Sequence, residues 1–173
     1  MTFRLAIELA GPPRGKGRHR ARIQKAKGSG RLYVQEYPDG ETVKYETQLR
    51  YVGQQRMDGR PPTILPLRVQ VEVTLQIAAS GPEWERAAKL AGAIVPISKG
   101  TGDVDNYLKI LDALNGIVWA DDSQIVEARV FKRYGNNPRL AILVEALELP
   151  TVEKPERKRK AAEPAAPDLF ATL

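Results

Sequence analysis

Residues 67–77 read LRVQVEVTLQI, and apolar and polar side chains alternate through the whole run without a fault. Val69, Val71, Val73, Leu75 and Ile77 fall on one side, with Gln70, Glu72, Thr74 and Gln76 on the other. Successive side chains of a strand point to opposite faces, so a period of two fixes a half-buried strand. Residues 3–9, FRLAIEL, repeat the pattern, with Phe3, Leu5, Ile7 and Leu9 against Arg4 and Glu8. Two more strands are predicted over 123–133 and 139–147, joined by the turn-forming YGNNPR.

Between these strands the period changes. Tyr45, Leu49 and Val52 recur at helical spacing within 42–58, and Gly59 and Pro61 end that helix. A short helix is predicted within SGPEWERAAKLAG (80–92), which has a Ser-Gly-Pro entry, early Glu83 and Glu85, and a glycine exit. A third spans about 105–115, closed by Gly116, with Tyr107, Ile110, Leu111 and Leu114 as its core face. Residues 11–31 hold eight lysines or arginines, no acid, and glycines and prolines that oppose regular structure, so they are read as a basic loop or arm. The predicted order is β-α-β-α-α-β-β. That is an α+β domain over residues 1–148, a mixed sheet of about four strands packed with two or three helices. Residues 149–173, rich in proline and alanine and containing the run RKRK, lack the apolar content to fold alone and are read as a flexible, disordered tail.

Composition narrows the chemistry. With no cysteine and a single histidine, His19, thiolate zinc sites, cysteine nucleophiles and multi-histidine metal sites are excluded, so any metal must be held by oxygen. The first apolar stretch is short and broken by Arg4 and Glu8, which fits neither a signal peptide nor a membrane span. A soluble cytoplasmic protein is expected. The net charge of +6 suggests a polyanionic partner.

Against that basic background, residues 100–124 contain five aspartates, Asp103, Asp105, Asp112, Asp121 and Asp122, and one base, Lys109. In a helix beginning near Asp105, Lys109 lies about 40° round the axis from it, on the same side, and Asp112 falls near the same stripe. Each piece has an ordinary structural explanation: aspartates cap helices, Asp105 and Lys109 make a helical ion pair, and Asp-Asp starts a turn. A haloacid-dehalogenase-like phosphatase would need an apolar strand running into its D-x-D, where SKGTG stands here. An EF-hand loop would need a central glycine and a terminal glutamate.

The whole stretch DVDNYLKILDALNGIVWADDSQIVEARVFKRYG (103–135) resembles the signature of the RusA family of Holliday-junction resolvases: D-x-D-N-x-x-K, then D-A-L, N-G, and D-D-x-Q-[IV]. GPPRGKGRHR with LYVQEYPDGETVKYE, and PEWERAAKLAGA before the acids, are similar to phage-type members, and the likeness covers about residues 1–147. It implies that Asp103, Asp105 and Asp122 bind metal, with Asp121 a further candidate, and that Lys109 is the essential lysine. It also implies a homodimer. Phosphodiester hydrolysis needs an activated water and a stabilised leaving oxygen, and one or two carboxylate-held Mg²⁺ ions per subunit, with Mn²⁺ as a substitute, supply both. Lys109 would orient the water or meet charge on the phosphoryl oxygens. Asp103, Asp105 and Asp122 are expected to converge around the cation.

The basic arm, with Lys16, Arg18, Arg20 and Arg22, is the predicted DNA contact, and Lys132 and Arg133 form a second candidate site. Leu169 and Phe170 in the terminal APDLFATL resemble part of a sliding-clamp-binding motif without its leading glutamine. Three function classes fit: a junction-resolving endonuclease, a metal nuclease acting on flaps or other branched DNA, and a non-catalytic DNA-binding protein.

Overall fold

A computed structural model describes residues 3–17, 20–25, 27–37 and 39–150, without the side chains of Arg20 and residues 35–37. The predicted DNA contact Arg18, the candidate clamp contacts Leu169 and Phe170, and the tail from residue 151 onward lie outside the described residues.

The architecture is α+β. Among the described residues six strands and three α-helices follow the order β1 (Arg4–Ala10), β2 (Arg20–Lys25), β3 (Leu32–Tyr37), α1 (Gly40–Met57), β4 (Leu67–Gln76), α2 (Glu83–Leu90), α3 (Val104–Lys109), β5 (Ile125–Gly135) and β6 (Arg139–Ala146). Four strands form a mixed sheet in the order β1-β6-β4-β5, with β4 parallel to β5 and β6 antiparallel to both β1 and β4. The alternating run of β4 occupies an inner position. Val69, Val71 and Val73 are fully buried on its helix-facing side, each contributing about 1.5–3 kcal/mol relative to exposure. Leu5 and Ile7 of β1, and Leu140, Ile142 and Val144 of β6, continue that apolar layer.

The opposite face of the sheet is polar and laced with ion pairs. Arg68 meets Glu127 at 2.6 Å, and Glu72 accepts from Arg133 at 2.6 Å and from Arg139 at 3.1 Å. Helices therefore cover one side only.

Three elements differ from the sequence reading. The strands joined by YGNNPR do not pair with each other, because β4 lies between β5 and β6. The chain crosses over the end of β4 through residues 136–138, a span of about 10 Å between next-nearest strands that a short extended link covers. The basic stretch is not all loop either: β2 and β3 pair antiparallel over Arg20↔Tyr37 to Lys25↔Leu32 as a separate two-stranded sheet. The glycines that suggested disorder close this hairpin, Gly28 and Gly30 both taking positive φ. Finally, the third helix is α-helical only to Lys109 and tightens to a 3-10 helix over Ile110–Leu114. That tightening stacks residues three apart, so Ile110 sits above Ala113 and Leu111 above Leu114, and all four are buried. Trp119, fully buried, closes the same end of the core.

Candidate active site

The head of α3 is assembled by its preceding turn. Thr101 is buried, and its hydroxyl lies 2.7 Å from the Ser98 carbonyl and 3.2 Å from that of Pro96. The buried Tyr107 reaches back one turn to donate from its hydroxyl to the Thr101 carbonyl at 3.0 Å. Gly102 adopts φ +73, and a Cβ there would stand 3.0 Å from the Tyr107 hydroxyl oxygen, so both conformation and space require glycine. Lys132 of β5 completes the clamp, donating from Nζ to the Gly102 carbonyl at 2.7 Å and to Thr101 Oγ1 at 3.2 Å.

Asp103 follows at the N-cap position of α3, yet its side chain makes no capping hydrogen bond. The ordinary structural explanation for an aspartate at this place is therefore absent. Asp105 stands in the first turn, exposed, and accepts from Lys109 Nζ at 2.8 Å, the i,i+4 pair expected from the spacing. That ammonium holds the Asp105 carboxyl below the usual aspartate range. Asp112 accepts from Lys16 at 2.8 Å.

The second acidic pair divides in its roles. Asp121 heads a short 3-10 turn over Asp122–Gln124 in a capping box: its carboxylate accepts from the Ser123 amide, while Gln124 reaches back to the Asp121 amide. The hydrogen bonds from Ser123 lower its pKa. Asp122, exposed, has no such commitment among the described residues.

The two pairs do not meet within one chain. The head of α3 is tied to Lys132, far along β5, whereas Asp122 precedes Ile125, where β5 begins beside Leu67. The seven strand steps from Ile125 to Lys132, like the length of α3 and its 3-10 continuation, place Asp103 and Asp122 on the order of 20 Å apart. Among the described residues no three carboxylate or histidine side chains stand close enough to share an ion. The expected convergence is absent because the rod from Val104 to Leu114 runs antiparallel to β5 and puts one acidic pair at each of its ends.

The basic residues also sort differently. Lys16 is half-buried, pairing with Asp112 at 2.8 Å and Glu46 at 3.7 Å, and the Asp112 hydrogen bond is the largest cause of its raised pKa. It pins the root of the arm. Gly15 belongs to the same joint: a Cβ there would lie 2.9 Å from Cβ of Asn106, and the Lys16 amide donates to the Asn106 carbonyl at 2.8 Å. Arg14 bonds Asp39 at 2.6 Å. Arg20 and Arg22 lie on β2, with the Arg22 side chain exposed. Lys132 and Arg133, adjacent in a strand, point to opposite faces of the sheet: Lys132 into the Gly102 clamp and Arg133 to Glu72. They are not one surface.

Sequence reasoning missed the clamp of Thr101, Gly102, Tyr107 and Lys132. Its signal was the glycine directly before Asp103 together with a lysine at a helix-facing position near the end of β5.

The sequence of the chain matches known proteins. The family model described as endodeoxyribonuclease RusA matches residues 10–145. An uncharacterized Bacillus subtilis protein, YqaN, is 33% identical over 147 residues, covering 81% of this chain and 94% of the relative. An acidic pair at the head of one helix, a second acidic pair before the last two strands and a match across most of the chain converge on one assignment: this protein belongs to the RusA family of endodeoxyribonucleases, which resolve Holliday junctions.

Proposed function

We propose that this protein is a Mg²⁺-dependent endonuclease that resolves four-way DNA junctions by paired nicks, with Mn²⁺ able to replace Mg²⁺. Asp103 carries the reading. The fold clamps its backbone through Gly102, Tyr107 and Lys132, yet leaves its carboxylate without a capping bond, in a chain of a nuclease family. A clamped, exposed, uncommitted carboxylate is poorly explained by stability and well explained by a ligand.

The donor set suits a hard cation. Mg²⁺ is commonly held by one or two carboxylates, with waters and substrate phosphate oxygens in the other positions. Asp103 and Asp105 would hold it here. The bound ion would supply a nucleophilic water at neutral pH and charge stabilisation at the leaving oxygen. Lys109 now donates to an Asp105 carboxylate oxygen; were that carboxylate to hold the cation, the ammonium would be free to face the phosphoryl oxygens, where negative charge gathers during cleavage.

Asp122 enters through a second copy. A two-fold axis perpendicular to the α3 rods would set two of them antiparallel and bring the Asp122 end of one beside the Asp103 end of the other, whereas a single chain keeps them on the order of 20 Å apart. A homodimer also matches the near two-fold symmetry of a four-way junction and supplies two sites for two opposed strands. Cytoplasmic DNA is the expected location of the substrate, and contact between a sliding clamp and Leu169 and Phe170 is a separate proposal, checked by titrating the tail peptide against a clamp.

The test is incubation of a labelled four-way junction with Mg²⁺, beside a flap and a linear duplex. Symmetric nicks in the junction that vanish in Asp103→Asn, with junction binding retained, are the expected result. Binding without cleavage, or faster cutting of the flap, overturns the assignment.

A further inference from the structure

The β2–β3 hairpin is a sheet of its own, and it wastes a great deal of apolar surface on solvent. Alternation in the register Ala21↔Glu36, Ile23↔Val34 and Lys25↔Leu32 puts Ile23, Val34 and Leu32 on one face. They are 69%, 62% and 67% exposed. On the other face Gln24 opposes Tyr33, whose hydroxyl donates to Gln24 Oε1 at 3.3 Å. Three neighbouring large apolar side chains left in water mark a contact surface rather than scattered exposure.

Charge narrows the partner. Residues 20–37 contain Arg20, Arg22, Lys25, Lys27 and Arg31 against Glu36 alone, a balance of 5 − 1 = +4. By register the apolar face carries Lys25 at one end and Glu36 at the other, while Arg20 and Arg22 belong to the opposite face and Lys27 and Arg31 to the connection, so the apolar cluster is uncharged at its centre within a basic ribbon. That basic surround matches DNA with exposed base faces, which offers a flat apolar surface rimmed by phosphates.

Position completes the argument. Both roots of the hairpin are fastened beside the acidic helix: Lys16 bonds the Asn106 carbonyl and Asp112, the Gly17 amide donates to Thr42 Oγ1, and Asp39 caps α1 next to them. The ribbon thus springs from the same end of the molecule as Asp103 and Asp105.

We infer that the Ile23–Leu32–Val34 face of the ribbon docks on the unstacked base pairs at a DNA branch point, so that it selects branched over linear DNA while the acids at its root address the adjoining phosphate. This rests on the nuclease reading for the identity of the substrate and adds to it the element that reads branch shape. A continuous duplex hides its base faces in the stack and gives the apolar face nothing to cover.

The test uses the full chain in EDTA, so that binding is read without cleavage, with a four-way junction carrying 2-aminopurine at the crossover and a linear duplex of the same arm sequence. The parent chain is expected to prefer the junction and to raise the 2-aminopurine fluorescence. The variant Ile23→Ser/Val34→Ser, altered only at exposed positions, is expected to bind the junction about tenfold more weakly and to lose the fluorescence rise, with duplex affinity and oligomeric state unchanged. Unchanged junction affinity, an equal loss on both DNAs, or a variant that changes its oligomeric state overturns the inference, the last outcome making this face a contact between copies of the chain. A parent chain that shows no junction preference overturns it too. If the parent prefers junctions but fails to cut them with Mg²⁺, the nuclease reading falls and this one stands.

Discussion

Lys132 Nζ sits 2.7 Å from the carbonyl oxygen of Gly102, the residue directly before Asp103. A cation on an edge strand thereby sets the entry angle of a helix whose head carries the proposed ligands. Lys132→Met is expected to raise the Mg²⁺ concentration for half-maximal cleavage by about ten- to a hundredfold, the usual cost of removing a group that orients a ligand. Junction affinity measured in EDTA should stay unchanged. A weaker junction affinity with an unaltered Mg²⁺ requirement would instead make Lys132 a phosphate contact.

Mixing two inactive variants distinguishes a shared site from one contained in a single chain. In the proposed dimer, Asp105→Asn and Asp122→Asn chains should each be inactive alone. In the mixed dimer, the site pairing intact Asp105 of one chain with intact Asp122 of the other is whole, so single nicks in the junction should reappear. No recovery after refolding the two chains together would place all the ligands in one chain.

Gly53 is where α1 crosses the 3-10 end of the α3 rod, and a Cβ there would lie 2.8 Å from Leu114 Cδ2. Gly53→Ala should destabilise the fold by about 1–3 kcal/mol, since the buried leucine has little room to yield. A double variant with Leu114→Val should cost less than the sum of the two single changes, as measured by urea denaturation.

Tyr45 gives the fold an alkaline limit. Burial pushes its hydroxyl up to about 12, partly offset by the Arg14 backbone, and the buried oxygen makes no well-formed hydrogen bond among the described residues. A folded pKa raised above the unfolded value of about 10 means a contribution fully present below pH 10 and lost as pH climbs through about 12. Tyr45→Phe should keep or slightly increase stability at neutral pH, because it removes a poorly partnered hydroxyl. It should also lose less stability than the parent between pH 10 and 12 in chemical denaturation.

Much of the fold was legible because its strands and helices bury one face. The period of two in Val69 to Leu75 and the period of helices in Tyr45, Leu49, Tyr107 and Leu114 are direct prints of that burial. The β2–β3 ribbon was not legible by the same reasoning. It buries little, so its glycines and charges spoke louder than the alternation of Arg22, Ile23 and Gln24. The pairing of β6 with β1 and β4, rather than with β5, is a long-range outcome that no local turn signal contains. At the site, the sequence marked which acids carry no structural duty only as a group. Only the fold separates Asp121, which caps a turn, from Asp103, which does not cap its helix.

The place of β6 in the sheet bears on how the protein is made. Its partners are the first strand of the chain and the middle one, so the sheet has a gap until residues 139–146 have been synthesised. Until then β1 has no neighbour in the sheet, and β4 offers an unpaired edge to any other strand in reach. Synthesis of this domain therefore ends with a zipper-like closure, and a nascent chain stalled before residue 139 would be prone to aggregation rather than being a smaller folded protein.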